Sequence, residues 1–243
     1  MQKDNKKIIK DAYKEIAVKG FGCGCSCNGA KDISKSIGYT DEELKVVGEA
    51  NLGLGCGNPL AFGNIKEGDI VLDLGSGAGM DAILASQKVG EKGKVIGVDM
   101  TEEMIEKAEE NAKKQGIKNV EFLLGEIENL PIKDNSVDTI ITNCVINLTS
   151  DKDKTFSEAY RVLKQGGKIY LSDIVLLEEL TEEQRNNKEL ISGCVAGALL
   201  RDDYLNKIKG AGFNVRVLYE NTGISKQQYN GMLLESIMVE LTK

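Results

Sequence analysis

The chain has 243 residues, 41% hydrophobic and 28% charged, with 38 acidic and 31 basic side chains and a net charge of −7. That composition suits one large domain, or a domain with a small lobe, and it argues against nucleic acid as a partner because phosphate binding needs a basic face. The absence of histidine and tryptophan excludes Ser-His-Asp and Cys-His nucleophilic chemistry and histidine-ligated zinc, and it weakens any recognition of single strands by stacking.

Ile8, Ile9, Ala12, Tyr13 and Ile16 recur at helical spacing, so residues 1–20 read as an amphipathic helix. The charged start, MQKDNKKIIKDAYKEIA, lacks a signal-peptide core. No apolar run nears the roughly 18 residues of a membrane helix. A cytoplasmic monomer with no membrane partner is expected. The glycine-rich GFGCGCSCNG at 20–29 breaks the helix, and residues 30–52 are polar and mixed. Thr40, with Glu43 as its capping-box partner, opens a short helix. Asn58-Pro59 reads as an N-cap followed by proline at the first helical position.

From Asp69 onward the pattern alternates. Strands are predicted at 69–75, 94–99, 120–127, 137–148 (with its outgoing loop) and 168–175. Helices are predicted at 81–89, 101–116 and 154–167, the second closed by Gly116 and the third by a glycine pair. Such alternation implies an α/β fold, a mostly parallel sheet with helices on both faces. Residues 177–212 read as a helical insertion, and 213–223 and 236–243 as two closing strands, antiparallel at one edge. The organisation expected is a segment over 1–64 that covers the site and a main domain over 65–243.

DLGSGAG places Gly75, Gly77 and Gly79 between a strand and a helix, where ligands of open α/β sheets bind. Asp99 ends the next strand, 22 residues after Gly77, where an acid can accept from both ribose hydroxyls. The spacing is G-x-G-x-G; the dinucleotide fingerprint would put its third glycine at Met80. Asp73 and Asp81 flank the loop and would repel a pyrophosphate but attract a sulfonium and an α-amino group. The electrostatics therefore favour S-adenosylmethionine over a nicotinamide cofactor. Glu126 is placed to accept from the adenine amino group, and Met100 and Ile127 to sandwich the ring; a solvated strand end is the alternative reading of Glu126. The succession DLGSGAGMD, GVDMT, GEIENLP, NCVINL and VLKQGGKIYLSD resembles the class I S-adenosylmethionine-dependent methyltransferases over about residues 65–175. The resemblance implies a Rossmann-like, seven-stranded sheet with one antiparallel strand.

Six cysteines in a reducing compartment point to soft-metal binding or reactive thiols. Cys144 ends the fourth strand beside the cofactor loop, Cys56 lies in a glycine loop just upstream of the first strand, and Cys194 lies in the insertion. Those three segments converge on one edge of the sheet. A buried small hydrophobe is the alternative reading; it suits Cys144, fits GLGCGNP poorly, and is intermediate for Cys194. Three sulfurs without imidazole suit trivalent arsenic, a soft pyramidal centre whose lone pair is the nucleophile, better than zinc, which prefers a closed tetrahedral set.

NLGLGCGNPLAFGNI, DLGSGAGMD, GVDMTEEM, LGEIENLP, NCVINL and CVAGAL together resemble the arsenite methyltransferase family over roughly residues 10–200. The resemblance implies methyl transfer from S-adenosylmethionine to arsenite, with Cys56, Cys144 and Cys194 as arsenic ligands. It implies cofactor roles for Asp73, Gly75, Gly77, Gly79, Asp99, Met100, Glu126 and Asn143. It also implies that the segment with Cys23, Cys25 and Cys27 supplies a thiol for disulfide exchange, assigned here to Cys27, with a small thiol or thioredoxin-type reductant as partner. An arsenic-capture site and a flexible tail are the other readings of that segment. Two departures are Met80, where an aromatic is expected, and the 49 residues after Cys194, too few for a large further domain. A quinone- or sterol-type C- or O-methyltransferase and a non-enzymatic thiol protein that binds metalloids are the rival functions.

Overall fold

The computed structural model describes residues 2–19 and 29–243. Near-continuous apolar runs such as IVLDL form strands buried on both faces, as parallel sheets require. The strands are β1 (Ile70–Leu74), β2 (Lys94–Asp99), β3 (Val120–Leu124), β4 (Val137–Asn143), β5 (Leu163–Leu176), β6 (Asn214–Asn221) and β7 (Leu234–Thr242). They form one seven-stranded sheet in the order β3-β2-β1-β4-β5-β7-β6. Neighbours from β3 to β5 are parallel, and β7 runs antiparallel to both β5 and β6. The reversed strand thus lies at the expected end of the sheet, second from the edge, with β6 outermost. Chain order reverses between β1 and β4, so the crevice at their carboxyl ends is where a ligand of this architecture sits.

Helices α1 (Gln2–Lys19), α2 (Gly29–Ser36), α3 (Asp41–Val47) and α4 (Pro59–Phe62) precede the sheet. The Thr40–Glu43 capping box opens α3, and Asn58 caps α4 by accepting from the Leu60 and Ala61 N–H groups. Helices α5 (Met80–Val89), α6 (Glu102–Lys114) and α7 (Lys152–Val162) are crossovers. One core cluster, with Val71, Ile83, Val95 and Tyr170, fills one face of the sheet, and a second, with Leu72, Ile140, Phe156 and Tyr204, fills the other. Among the described residues no helix is long and apolar enough to cross a membrane.

Several boundaries differ from the sequence reading. Residues 29–36 form α2, a helix not expected there. The third strand stops at Leu124 rather than at 127: Gly125 N–H makes the last ladder bond, to Asp99 O (2.9 Å), and a turn then closes from Asn129 N–H to Glu126 O (2.9 Å). The helix expected over 154–167 ends at Val162; Leu163 already pairs with Val137, and Gly166, at φ +75°, lies in a bulge of β5. The glycine pair shapes a strand rather than capping a helix. The insertion over 177–212 is three helices, α8 (Glu182–Asn186), α9 (Lys188–Ser192) and α10 (Arg201–Gly210). The last buries Tyr204, Leu205 and Ile208 against the sheet and is an ordinary crossover. A short α11 (Ile224–Gln228) joins β6 to β7.

Candidate functional site

Gly75, Gly77 and Gly79 all adopt left-handed backbone angles, which only glycine tolerates freely. A Cβ at Gly75 would strike Val145, and one at Gly79 would lie 2.9 Å from Phe122. At Gly77 a Cβ would meet nothing within 4 Å, so the loop presents bare backbone to open space. Gly77 N–H donates to Asp99 Oδ2 (3.0 Å) and Thr101 N–H to Asp99 Oδ1 (2.9 Å), fixing the acid at the end of β2. The hydroxyls of Ser76 and Thr101 are buried nearby without partners.

Three buried carboxyls crowd this point. Burial, then the charges of Asp81 and Asp99, push Asp73 well above the usual carboxylate range. Burial raises Asp81 to about 6, against the opposing hydrogen bonds from Tyr39 and Asn143. Burial also raises Asp99. Asp73 Oδ2 has no hydrogen-bond partner. Such a cluster is relieved by a cation.

The acids, the glycine loop and Cys144 line a cavity of about 450 Å³. Met100, Ile127 and Glu126 are part of its wall. Glu126, however, is half-exposed in the turn after β3 and ion-paired with Lys6 of α1 (2.6 Å). Helix α1 closes the cavity through Ile9, Tyr13 and Ile16 and is pinned a second time by Lys14 to Glu103.

Asn143 also lines the cavity, but its amide is committed to the Cys56 loop. It accepts from Cys56 N–H (3.0 Å) and donates to Gly57 O (2.7 Å) and Tyr39 Oη (3.1 Å). Tyr39 in turn donates to Asp81 (2.6 Å). Gly55, at φ +110°, has room for no Cβ, which would fall 2.8 Å from the Asn143 amide nitrogen. The glycines around Cys56 let the loop lie flat on Asn143.

The three separated cysteines meet. Cys56 and Cys144 form a disulfide with Cα atoms 5.9 Å apart. The Cys194 thiol donates to Cys144 O (2.8 Å) and lies 3.9 Å from Tyr13 Oη. All three are buried. Cys144 and Cys194 have φ of +58° and +66°, a region that side chains adopt at a cost and that clusters at functional sites. Cys23, Cys25 and Cys27 lie outside the described residues.

Sequence reasoning missed Tyr39, Tyr13 and a buried polar group behind the disulfide. There Asp173 accepts from Asn147 Nδ2 (2.9 Å), Ile174 N–H (3.0 Å) and Tyr204 Oη (2.8 Å), and burial raises it to about 7. The polar pair Ser172-Asp173 inside an otherwise apolar strand was the available signal.

The family described as "Methyltransferase domain" matches residues 65–229. An arsenite methyltransferase of Halobacterium salinarum is 44% identical over 225 residues, 86% of this chain and 57% of that protein. The human arsenite methyltransferase is 47% identical over 154 residues, 60% of this chain and 40% of its own length. The chain thus spans about half the length of the curated relatives it matches. The crystal structure of CrArsM, an arsenic(III) S-adenosylmethionine methyltransferase from Chlamydomonas reinhardtii, superposes with a TM-score of 0.69 at 35% identity, covering 90% of this chain and 75% of that one. On its fold, its site and these likenesses, the chain belongs to the arsenite methyltransferase family, within the class I methyltransferases that use S-adenosylmethionine.

Proposed function

We propose that this chain methylates trivalent arsenic, held by Cys56, Cys144 and Cys194, in arsenic detoxification. The observation that carries the reading is the meeting of those cysteines, from three distant segments, with Cys144 and Cys194 in the wall of an acid-lined cavity and Cys56 linked to Cys144 behind it. S-adenosylmethionine fits that cavity: the partnerless Asp73 oxygen and the buried hydroxyls of Ser76 and Thr101 await polar groups, and Gly77 offers open backbone. When bound, it supplies a sulfonium-activated methyl group. Asp73 and Asp81 neutralise positive charge, Asp99 accepts from hydroxyls, and Met100 and Ile127 give the apolar walls. The cysteine thiolates bind arsenic through sulfur and leave its lone pair outward. That chemistry needs no general base, consistent with a chain without histidine.

The Cys56–Cys144 disulfide is incompatible with both sulfurs binding substrate, so turnover requires a reductant. Cys27 is the proposed exchange thiol, with a small thiol or thioredoxin-type protein beyond it. The test is arsenic speciation by mass spectrometry after incubation with S-adenosylmethionine and arsenite. Methylated arsenic is expected with a small thiol present and none without it. Tight arsenite binding with no methylated product would favour a sequestering protein, and methylation of a quinone-type substrate instead would favour the C- or O-methyltransferase reading.

The acids also set a pH dependence. Asp81 loses its charge below pH about 6, and a cation binds the ionised form. Affinity for S-adenosylmethionine is therefore expected to be full at pH 7.5 and to fall about five- to tenfold by pH 5, each unit of linked titration being worth up to tenfold. Calorimetric titration across that range checks it. Asp81→Asn should bind more weakly and flatten the profile; an unchanged slope in that variant would assign the dependence elsewhere.

A further inference from the structure

The sulfurs of Cys56 and Cys144 and a carboxylate oxygen of Asp173 lie within 4.8 Å of one another. Cys194, whose thiol is turned to the Cys144 carbonyl (2.8 Å), is not in that group. Asp173 thus sets an oxygen acceptor close to both linked sulfurs. Asp173 is fully buried. It already receives three donors, from Asn147, Ile174 and Tyr204, and a carboxylate has about four acceptor sites. Next to it, Asn147 is buried and its Oδ1 has no partner. A buried acceptor without a donor is unfavourable and calls for an explanation. Together these two residues offer unfilled acceptor capacity directly behind the thiol pair.

Arsenous acid carries three hydroxyl groups, and each thiol that binds replaces one of them and releases water. Once Cys56 and Cys144 are both bound, one hydroxyl remains on arsenic. We propose that Asp173, assisted by Asn147 Oδ1, is the substrate-binding residue that accepts a hydrogen bond from that last hydroxyl until Cys194 displaces it. In the displacement an As–S bond forms and the As–O bond breaks. The Cys194 thiol proton leaves with the hydroxide as water, and nothing is oxidised or reduced. Asp173 holds the intermediate so that its remaining As–O bond is turned away from the methyl-donor cavity, whose lining includes Cys144 and Cys194 but not Asp173. This inference rests on the arsenic reading above.

The experiment compares two ligands on the full chain after phosphine reduction, in a Cys194→Ser background that halts binding at the two-thiol complex. Arsenite leaves one hydroxyl when two thiols bind it; phenylarsine oxide carries a phenyl ring in that place. In Asp173→Asn, arsenite affinity is expected to fall about tenfold, the loss of one hydrogen bond to a charged group, while phenylarsine oxide affinity stays within twofold. Equal losses for both ligands, or none for either, would overturn the proposal and leave Asp173 with a structural role. Tyr204→Phe is the second variant. It removes a competing donor and leaves the carboxylate, so arsenite binding is expected to hold or tighten. A loss of arsenite binding there would also overturn the proposal. If the wild-type chain binds neither ligand, the arsenic reading itself fails; if it binds both and only the Asp173→Asn contrast is missing, the failure belongs to this inference alone.

Discussion

Cys144→Ser is expected to cut arsenite methylation more than about 100-fold while S-adenosylmethionine affinity stays within about twofold. Even outer-shell partners of a bound metal are worth 10–100-fold, and Cys144 is a proposed direct ligand. A serine hydroxyl is a hard, protonated oxygen that does not replace a soft thiolate. The substitution leaves the local frame intact. The backbone N–H of residue 144 donates to Ser172 O (2.8 Å), its carbonyl accepts from the Cys194 thiol (2.8 Å), and both contacts are independent of the side chain. The groups that face the cofactor come mainly from β1, β2 and their loops. Product analysis and calorimetry on the same preparation separate the two effects. Normal turnover by Cys144→Ser would rule out the thiol site, and loss of both functions would place the residue in the scaffold.

A second large effect is expected at a residue with no reactive group. A Cβ at Gly197 would collide with the backbone oxygen of Asn147 and lie 3.7 Å from the Lys152 ammonium. Backbone cannot rotate away as a side chain can. The surrounding turn is also held in place, with Ala198 N–H donating to Val195 O (2.9 Å) and Arg185 donating to the carbonyls of Ala196 (3.0 Å) and Ala198 (3.2 Å). Gly197→Ala must therefore displace the segment that carries Cys194. Overpacking of this kind costs about 1–3 kcal/mol or somewhat more, which lowers the melting temperature of a chain this size by about 3–10 °C. A misplacement of about 1 Å in a reacting group is worth about 100-fold in rate, so methylation should fall by that order while cofactor binding survives. Thermal melts and turnover measured together test this. An unchanged melting temperature with full activity would mean the turn absorbs the methyl group freely.

The parts of the fold readable in the sequence were those written in local patterns. The strand at 94–99, the Thr40 capping box and the Asn58-Pro59 start were all legible because their causes lie within a few residues. The convergence of the three cysteines was legible too, because topology alone brings those segments to one crevice. What escaped depends on partners far away in the chain. Glu126 lines the cavity, and its ion pair with Lys6, 120 residues earlier, could not be read from its own neighbourhood. Asn143 ends β4 and lines the cavity, and the bonds of its amide to Cys56 and Gly57 join residues 86 or more positions apart. Gly166 and Gly167 read as a helix stop, and only pairing between Leu163 and Val137 reveals a bulged strand. Asp173 gave a weak signal, one acid in an apolar run, whose meaning depends on Tyr204 and Asn147 from two other elements.

Leu176 N–H donates to Leu199 O (2.8 Å), and Leu176 forms a β-bridge with Leu200. The excursion that bears Cys194 therefore leaves and rejoins the sheet at a single point. Thermodynamically it is a loop already closed at its neck, and each doubling of such a loop's length changes its closure entropy by only about 0.6 kcal/mol. The wall that bears Cys194 can accordingly be lengthened, shortened or exchanged as a cassette while the strands beneath it stay where they are; on the proposed arsenic reading, metalloid preference is thereby free to diversify.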